Sequence, residues 1–586
     1  MTQLRNVNWT PIYRENDIDI AYNIFYDLYF KIYNNCFPEY EVKNRGKSKD
    51  IVPYMTEALS KSIKESKRLH RLSRKWPISY RERYIKYNSV LKNSLKLAEQ
   101  LYFTKTLKSN QGNAKKTWET INIVLKRTKS RDSCKIEAPS NIENVPNYIN
   151  DYFLNGIDKL KENRPDKQPT HTYKDYLSPS VNFSLFAKPI SDEEIIEYCN
   201  SIKTSAIGCD DINPNVFKRS IHIILKPLKY LMQLSFKTGE FPKMLKIAKV
   251  IPIHKSGDKT DIKNKRPISI LSVISKIFER AMYSRLSDYF ERYNLLTPHQ
   301  HGFRKNFSTE SATLSFTNYI TKALNNNEYA IGVFLDFSKA FDCIEHEILI
   351  NKLENMGVRG IFLNLIADYL AGREQRVFYD NKISDSRNIK YGVPQGTILG
   401  PLLFAVYVND VVNVSIELLL ALYADDKSLC MSDKNPYNLI QRTNVELSKI
   451  YEWVVVNKLC LNMLKTFFIM FSKNNFFGPL TPLLMGNHSV ERVYHTKFLG
   501  IVLDYKLTWE NHIDYLCNRL SKVCGIMYIT RNFLTKEAML SIYYGLFYSL
   551  LTYGINIWGG ACLQYLDRIY LVQKKVLTCY YLYSKI

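Results

Sequence analysis

The sequence predicts an α+β fold, with a basic helical segment before it and a helical segment after it. Three observations support this prediction. Apolar residues recur at helical spacing in residues 1–131, short β-type runs alternate with helical patterns between residues 191 and 504, and only helical patterns follow from residue 505. At 586 residues the chain is long enough for several domains and a sizeable core.

The charge balance limits the kind of partner. The chain has 81 Lys and Arg against 56 Asp and Glu, a formal net charge of +25. This excess predicts nucleic acid as a partner, with a membrane surface and mere solubility as the weaker alternatives. The 42 Tyr, 29 Phe and 6 Trp include rings that can stack on unpaired bases, although most must be core. The 11 Cys form no Cys-x-x-Cys pair, so we expect reduced thiols.

Residues 1–131 are predicted to form a basic helical extension. One apolar face of an amphipathic helix contains Tyr80, Tyr84, Tyr87, Leu91, Ala98 and Tyr102. The basic clusters at 64–75 and 126–131 are either solvated helix faces or phosphate contacts. Residues 132–190, rich in Asn, Pro, Ser and Asp, predict a loosely structured connector.

Ser191 to Glu194 form a capping box, which predicts the start of a helix and of a new domain over 191–504. Its β-type runs are "KVIPIH", "AIGVFLDF" and "ELLLALYA". Residues 505–586 read as helices rich in Leu and Tyr. Residues 538–566 carry no charge, but Gly, Ser and Thr interrupt them, so we expect a buried helical layer rather than a membrane span.

Two carboxylates stand where buried strands end. Asp336 closes "AIGVFLD", and Asp425 lies in "LYADDKSL", a predicted hairpin turn. Brought together, these oxygens are ligands that Mg²⁺ prefers, and two such ions can promote an in-line phosphoryl displacement. A polar turn is the competing interpretation, which we prefer for Asp210 and Asp211 after Gly208.

Ordered sequence blocks distinguish the two interpretations. The chain contains "TSAIGCDDINPNVFK" (204–218), "VIPIHKSGDKTDIKNKRPISILSVISKIFER" (250–280), "LLTPHQHGFRKNFSTESA" (295–312), "LDFSKAFD" (335–342), "GVPQGTILGPLLFAVYVND" (392–410), "YADD" (423–426), "NKLCLNMLKT" (457–466) and "HTKFLGIVLD" (495–504). With these blocks the chain resembles the reverse transcriptases of non-LTR retrotransposons, especially jockey-like elements, over about 190–586. The resemblance implies a right-hand polymerase, with fingers and palm in 191–504 and a helical thumb in 505–586.

The resemblance also implies catalytic roles. Asp336, Asp425 and Asp426 match the polymerase carboxylates: Asp336 and Asp425 would hold two Mg²⁺ ions, for which Mn²⁺ is a second candidate, and Asp426 is the usual third member. Lys465 matches a lysine proposed to protonate the leaving pyrophosphate, with balance of phosphate charge as the alternative role.

Substrate-binding roles follow in the same way. Lys255 and Arg266 match residues that hold the triphosphate of the incoming nucleotide. Phe341 matches an aromatic steric gate that excludes a ribose 2′-hydroxyl, with a core Phe as the alternative. Gln395 matches a residue lining the nucleotide pocket near the sugar, and "FLG" (498–500) resembles a primer grip, for which a plain hairpin is the alternative.

The chain departs from the family pattern at Lys265, His301 and Lys427. None of these is a predicted catalytic group. His299 and His301 have no further Cys or His at ligand spacing, so we expect surface histidines rather than a metal site.

The sequence therefore predicts an RNA-directed DNA polymerase that uses an RNA template, a DNA primer or target and dNTPs, without stable membrane association. The alternatives are an RNA-dependent RNA polymerase, disfavoured by Phe341, and a catalytically idle nucleic-acid-binding remnant. The usual N-terminal endonuclease blocks are not recognisable before residue 190, so we expect a truncated copy, and the C-terminal region is a further candidate for truncation. A nuclear location with a cytoplasmic ribonucleoprotein phase is expected from the family, with weak support from "KRTKSR" (126–131).

Overall fold

The structure is a computed structural model that describes residues 1–38, 53–110, 112–125, 135–139, 142–162, 169–474 and 481–581. The basic cluster at 126–131 lies outside these residues. The α-helices are α1 Thr2–Arg5, α2 Thr10–Tyr13, α3 Ile18–Cys36, α4 Glu57–Lys75, α5 Pro77–Ser109, α6 Ala114–Val124, α7 Val145–Glu162, α8 Asp192–Ser201, α9 Pro214–Thr238, α10 Val273–Arg292, α11 Thr309–Asn325, α12 His346–Asn355, α13 Gly360–Leu370, α14 Gly400–Tyr407, α15 Pro436–Val456, α16 Glu510–Thr530, α17 Lys536–Ile542, α18 Ser549–Thr552, α19 Ile555–Trp558 and α20 Leu563–Tyr581.

The strands are β1 Ile247–His254, β2 Lys265–Ile270, β3 Tyr329–Leu335, β4 Glu374–Tyr379, β5 Lys382–Ile383, β6 Arg387–Asn388, β7 Leu419–Tyr423, β8 Asp426–Asp433, β9 Phe467–Phe471, β10 Leu484–Met485, β11 His488–Ser489, β12 Glu491–Arg492, β13 His495–Phe498 and β14 Ile501–Asp504. The mixed α+β class predicted from the sequence is therefore present. The predicted β-type runs coincide with β1, β3 and β7.

The chain forms two compact units. Each unit combines two separate stretches of the chain, whereas the predicted segments are continuous. The first unit contains Met1–Tyr40 and Cys134–Tyr494, and the second contains Glu41–Ser133 and His495–Ile586. Residues 1–131, predicted as one extension, are thus shared between the units. The reason is long-range packing: the ring of Tyr29 in α3 lies 5.6 Å from that of Phe217 in α9, so the first residues join the first unit.

The five-stranded sheet of the first unit carries the predicted carboxylates. Its strand order is β12–β9–β3–β8–β7. β3 pairs antiparallel with both β8 and β9, and β7 pairs antiparallel with β8. β3 is almost wholly buried, which explains its continuous apolar sequence. Helices α10, α12, α14 and α15 contribute to the same hydrophobic core.

A second sheet in this unit has the order β2–β1–β4–β5, and β6 pairs with β4. β1 pairs antiparallel with β2 and parallel with β4. The antiparallel register places Ile253 opposite Arg266 and His254 opposite Lys265. Lys255 follows directly, and its backbone N–H donates to the carbonyl oxygen of Asn264 at 2.8 Å. The two predicted phosphate-binding residues thus meet at one end of this hairpin.

The capping box predicted at residue 191 is present. The Ser191 side chain accepts from the backbone N–H of Glu194 at 3.2 Å, and the Glu194 carboxylate accepts from the backbone N–H of Ser191 at 3.0 Å. Helix α8 begins there, as predicted. No boundary between the compact units coincides with it.

The prediction of a loosely structured connector at 132–190 was wrong for its middle part, because α7 occupies Val145–Glu162. Its Asn150 donates to the Gln375 carbonyl oxygen and to Ser384 Oγ, at 3.3 and 3.0 Å. The buried residues Ile149, Phe153 and Ile157 recur every four positions. The helix is held by tertiary contacts that outweigh its many Asn and Asp residues.

The second unit contains the amphipathic helix predicted around Tyr80–Tyr102, which lies within α5. Thr104 of α5 lies 3.0 Å from Thr535, the N-cap of α17. In the "FLG" segment, Phe498 ends β13, and Leu499 and Gly500 form the turn to β14. After β14, all regular elements in the described residues up to 581 are helical, as predicted. None of the helices in the described ranges is long and apolar enough to cross a membrane.

Candidate active site

A tight hairpin places two carboxylates beside the end of β3. Tyr423 of β7 pairs with Asp426 of β8, which leaves Ala424 and Asp425 as the two-residue turn. Ala424 has a φ of 53°, a left-handed conformation suited to such turns. Leu335 pairs with Lys427 across β3 and β8. Asp336, the next residue after Leu335, therefore emerges beside the turn.

A neighbouring loop supports this turn. The backbone N–H groups of His301 and Gly302 donate to the carbonyl oxygen of Leu422, at 2.8 and 3.3 Å. A Cβ atom at Gly302 would lie 2.5 Å from the backbone nitrogen of Ala424. Glycine is therefore required where the loop passes against the turn.

The turn opens into a cleft of about 610 Å³ within the first unit. Seven of the eight predicted site residues line this cleft: Lys255, Arg266, Asp336, Phe341, Gln395, Asp425 and Lys465. They come from separate strands and loops that only the fold brings together. The eighth, Asp426, begins β8 next to them and does not line the cleft.

The acidic side of the cleft has a defined hydrogen-bond partner. Asn462 Nδ2 donates to Asp336 Oδ2 at 3.0 Å, and the backbone N–H of Asn462 donates to the Asp336 carbonyl oxygen at 2.8 Å. Lys465 Nζ lies 3.7 Å from the same Oδ2. Asp336 is thus fixed in direction and partly balanced in charge, while about 30% of its side chain stays exposed.

The pKa of Asp426 reflects the negative charges close to it. Restricted hydration raises its pKa to about 6, and the charges of Asp425 and Asp336 add to the increase. A dication between these carboxylates would offset that repulsion.

The basic side of the cleft lies at the end of the β1–β2 hairpin. Burial lowers the pKa of Lys255, and the charges of Arg266 and Lys465 lower it further, whereas Asp336 opposes the effect. Lys263 and Lys265 also line the cleft. The positive charges of these side chains repel one another, and a bound polyanion such as a triphosphate would offset that repulsion.

Phe341 and Gln395 form another wall of the cleft. The Phe341 ring packs on Phe404, with centroids 4.7 Å apart, and meets Phe303 edge-on at 6.3 Å. The Gln395 carbonyl oxygen accepts from the backbone N–H of Ser269 at 2.8 Å. Gly396 follows with a φ of 114°, a conformation that an L side chain would strain.

Lys427, a departure from the family pattern, is buried beneath the carboxylate pair. It is 2% exposed, and its Nζ lies 4.1 Å from the ring centre of Phe337 and 4.8 Å from that of Phe404. Burial lowers the pKa of Lys427 to about 7, although Asp425 and Asp426 oppose the change. Its Nζ has no hydrogen-bond partner among the described residues.

The expectation of surface histidines was wrong for His301. This residue is 7% exposed, and its Nδ1 lies 2.9 Å from Ser311 Oγ. Burial lowers the pKa of His301, and the charges of His299 and Arg304 reinforce this. The side chain stabilises the loop behind the carboxylate turn.

Sequence reasoning overlooked three groups that line the cleft. Helix α7 contributes Tyr152, Phe153 and Leu160. Asp342 accepts a hydrogen bond from Gln395, and Asn462 holds Asp336. A role for Asn462 in the site could have been suspected from the sequence, because it lies three residues before Lys465 in the same sequence block. The position of α7 carries no local signal of this kind.

The donor set of the cleft fits a hard divalent cation. Asp336 and Asp425 offer carboxylate oxygens facing the same space. Within the described ranges, no three His, Cys, Asp or Glu side chains are grouped closely enough to hold a metal ion by themselves. A pair of carboxylates suits Mg²⁺, which is usually bound by one or two carboxylates together with water and substrate phosphates.

Comparison with known proteins gives a consistent result. The family model described as "Reverse transcriptase (RNA-dependent DNA polymerase)" matches residues 253–503. The chain is 29% identical over 416 residues to the probable RNA-directed DNA polymerase from transposon BS of Drosophila melanogaster, which covers 69% of this chain and 46% of that protein.

Two further relatives come from the same organism. The chain is 28% identical over 419 residues to the RNA-directed DNA polymerase from mobile element jockey, with 69% of this chain and 45% of that protein covered. It is 30% identical over 422 residues to the probable RNA-directed DNA polymerase from transposon X-element, with 70% and 46% covered. The chain thus spans a little under half the length of these relatives.

The matched region contains the sheet with β3, β7 and β8, the carboxylate turn and all eight predicted site residues, whereas most of β1 precedes it. Reverse transcriptases generally use divalent metal ions such as Mg²⁺. Residues 253–503 therefore form a reverse transcriptase domain, and the chain is related to the RNA-directed DNA polymerases of jockey-like non-LTR retrotransposons.

Proposed function

We propose that this chain copies an RNA template into DNA by transferring nucleotides from dNTPs to the 3′-hydroxyl of a primer. The observation that carries the proposal is that one cleft is lined by Asp336 and Asp425 and also by Lys255, Arg266 and Lys465. Carboxylates that would hold a divalent cation, together with basic residues that can bind a triphosphate, suit nucleotide transfer to a hydroxyl group.

In this proposal the architecture is that of a right hand. The five-stranded sheet with β3, β7 and β8 is the palm, the β1–β2 hairpin belongs to the fingers, and residues 505–586 form the thumb. The "FLG" turn is assigned to the primer grip by resemblance alone.

Asp336 and Asp425 would hold two Mg²⁺ ions, with Asp426 as the third carboxylate and Mn²⁺ as a substitute. When bound, these ions would supply Lewis-acid activation of the primer hydroxyl and stabilise the departing pyrophosphate. Asn462 keeps the Asp336 carboxylate turned toward the cleft.

The basic residues bind and orient the triphosphate. Arg266 offers a planar donor fork for phosphate oxygens, and Lys255 offers a point charge at the adjoining end of the hairpin. Lys465 Nζ stands 3.7 Å from Asp336, where it can balance phosphate charge or protonate the leaving pyrophosphate.

Phe341 and Gln395 select the sugar. The Phe341 ring packs against Phe404, which holds it in place. A ribose 2′-hydroxyl would therefore clash with the Phe341 ring. Gln395 lies beside it in the same cleft and offers an amide to the sugar. The cleft would therefore accept dNTPs rather than NTPs, and the product would be DNA.

The partners follow from the reaction: an RNA template, a DNA primer or target, and dNTPs. The net charge of +25 supports binding to nucleic acid backbones. A nuclear location with a cytoplasmic ribonucleoprotein phase is proposed because a retrotransposon must reach chromosomal DNA.

The test is primer extension on an RNA template with a DNA primer, comparing dNTPs with NTPs, together with a binding measurement on the same duplex. We expect extension with dNTPs and Mg²⁺ and much weaker use of NTPs. Preferential use of NTPs would favour an RNA-dependent RNA polymerase. Tight binding without extension in either Mg²⁺ or Mn²⁺ would favour an idle nucleic-acid-binding remnant.

A further inference from the structure

Asp342 directly follows the proposed gate residue and lines the same cleft. Its Oδ2 accepts a hydrogen bond from Nε2 of Gln395 at 2.9 Å. The two residues belong to different segments, so the bond links the loop after β3 to the loop before α14.

The backbone around the pair is also fixed. The N–H of Gly392 donates to the Ile344 carbonyl oxygen at 2.8 Å, and the N–H of Val393 donates to that of Phe341 at 2.9 Å. Gly392 has a φ of 82°, and a Cβ atom there would lie 2.6 Å from the Asp342 Cα. The loop bearing Gln395 therefore lies directly on the segment bearing Asp342.

The chemistry of the pair sets the direction of the amide. An ionised carboxylate can only accept hydrogen bonds, so the nitrogen of the Gln395 amide must face Asp342. The amide oxygen Oε1 then points away from Asp342. In a dNTP, the 3′-hydroxyl is the one sugar hydroxyl that can donate to this oxygen.

We propose that Asp342 is a positioning residue that orients the Gln395 amide, so that Oε1 accepts a hydrogen bond from the 3′-hydroxyl of the incoming nucleotide. This inference rests on the proposed function, because it assumes that a dNTP binds in the cleft. Without Asp342 the amide is free to rotate and to present its NH₂ group instead.

Two side chains act on the Asp342 carboxylate: Lys339 through its positive charge and Gln395 by donating a hydrogen bond. Burial raises the pKa of Asp342 to about 6, and both neighbours oppose this increase. At pH 8 the carboxylate is ionised and can only accept, as the orientation of the amide requires.

The experiment compares dNTP with 2′,3′-dideoxy-NTP as the ratio of their kcat/KM values at pH 8, for wild type, Asp342→Ala, Asp342→Asn, Gln395→Leu and the double variant Asp342→Ala/Gln395→Leu. Asp342→Asn keeps an acceptor oxygen. Asp288→Asn is the matched control, since Asp288 is exposed on α10. Circular dichroism checks that each variant is folded.

We expect Asp342→Ala to lower the preference for the 3′-hydroxyl about 3- to 10-fold, the range of one hydrogen bond. Gln395→Leu should lower it equally, the double variant no further, and Asp342→Asn less. The control should keep the wild-type ratio. A purely structural role would reduce both substrates alike and leave the ratio unchanged.

Two results would overturn the inference while the proposed function stands: an unchanged ratio in folded Asp342→Ala, or a double variant whose loss is the sum of the two single losses. If the Asp342→Ala variant does not fold, Gln395→Leu decides, and an unchanged ratio in it rejects the claim. A wild type that extends with neither substrate would overturn the proposed function and this inference with it.

Discussion

Asp425 and Asp426 are adjacent, yet their surroundings differ. Asp425 lies in the two-residue turn and lines the cleft, whereas Asp426 is the first residue of β8. The pKa of Asp426 rises to about 6 through restricted hydration and the charges of Asp425 and Asp336. The turn and the first position of the strand thus give two identical residues different surroundings.

Phe341→Ala should raise the use of NTPs relative to dNTPs by about tenfold or more, because removing the ring opens space for a 2′-hydroxyl. The ratio of kcat/KM values for the two substrates, measured by single-nucleotide extension, checks this. Phe341→Tyr keeps the ring and should keep the wild-type ratio. An unchanged sugar preference in Phe341→Ala would remove the gate assignment.

Residues inside the recognisable blocks could be predicted one by one. Seven of them line the cleft because short motifs such as "YADD" fix both the residue and the turn that presents it. Asp342 also lies in such a block, but its role depends on Gln395, which is distant in sequence. The buried position of Lys427 depends on the rings of Phe337 and Phe404, which no local pattern reveals.

At the scale of elements, a buried ion pair connects the helices behind the cleft. Lys352 of α12 is 2% exposed, and its Nζ donates to Asp410 Oδ1 at 2.9 Å, to Asn457 Oδ1 at 2.5 Å and to the Tyr407 carbonyl oxygen at 2.6 Å. Burial lowers the pKa of Lys352, and the charge of Asp410 opposes this. The lysine satisfies three buried acceptors at once.

Lys352→Met should therefore lower the free energy of unfolding by about 3–5 kcal/mol, because it leaves the buried Asp410 carboxylate without its cationic partner, with only Trp453 Nε1 still donating to it. Urea denaturation measures the change. Lys352→Met/Asp410→Leu should recover part of the loss, and Lys434→Met, at an exposed position, should have no effect. A loss below about 0.5 kcal/mol in Lys352→Met would contradict this account, since surface substitutions typically have effects of that size.

His512 of α16 should make the second unit sensitive to acid. It is 3% exposed, its Nδ1 accepts from the backbone N–H of Val502 at 3.3 Å, and burial lowers its pKa to about 4. The unfolded chain binds the proton near the ordinary pKa of about 6.5. Stability contributed by the neutral ring is thus present above pH 6.5 and is lost as the pH falls toward 4.

His512→Asn keeps an acceptor for Val502 and cannot bind that proton. We expect it to remove about 3 kcal/mol of the stability difference between pH 7 and pH 4. Thermal unfolding across this pH range tests the claim, with His495→Asn, exposed on β13, as the control. An identical pH dependence in wild type and His512→Asn would contradict it.

Strands β1, β3 and β7 could be predicted because apolar runs such as "AIGVFLDF" and "ELLLALYA" are local signals. Helix α7 could not, because its Asn and Asp residues disfavour a helix and its stability comes from contacts with β4 and Ser384. The role of α7 as a wall of the cleft is likewise a tertiary property.

At the scale of the whole molecule, composition and motif order were sufficient for the fold class and the reverse transcriptase domain. The division into units was not predictable, because residues 41–133 join residues 495–586 across most of the chain. Contacts such as Thr104 with Thr535 have no counterpart in local periodicity. Of the boundaries predicted from composition, 131 and 504 lie two and ten residues from the unit boundaries at Ser133 and Tyr494, whereas 190 lies inside the first unit.

The central claim is that Asp336 and Asp425 act together on one metal-dependent reaction, and primer extension by Asp336→Asn and Asp425→Asn tests it most directly. Asp211→Asn is the matched control, since Asp211 belongs to the other Asp-Asp pair and has a φ of 52° that Asn also tolerates. We predict that each catalytic variant binds the RNA–DNA duplex like wild type but extends it at least about 10³-fold more slowly, while Asp211→Asn extends normally. Extension at the wild-type rate by either Asp336→Asn or Asp425→Asn would contradict the account.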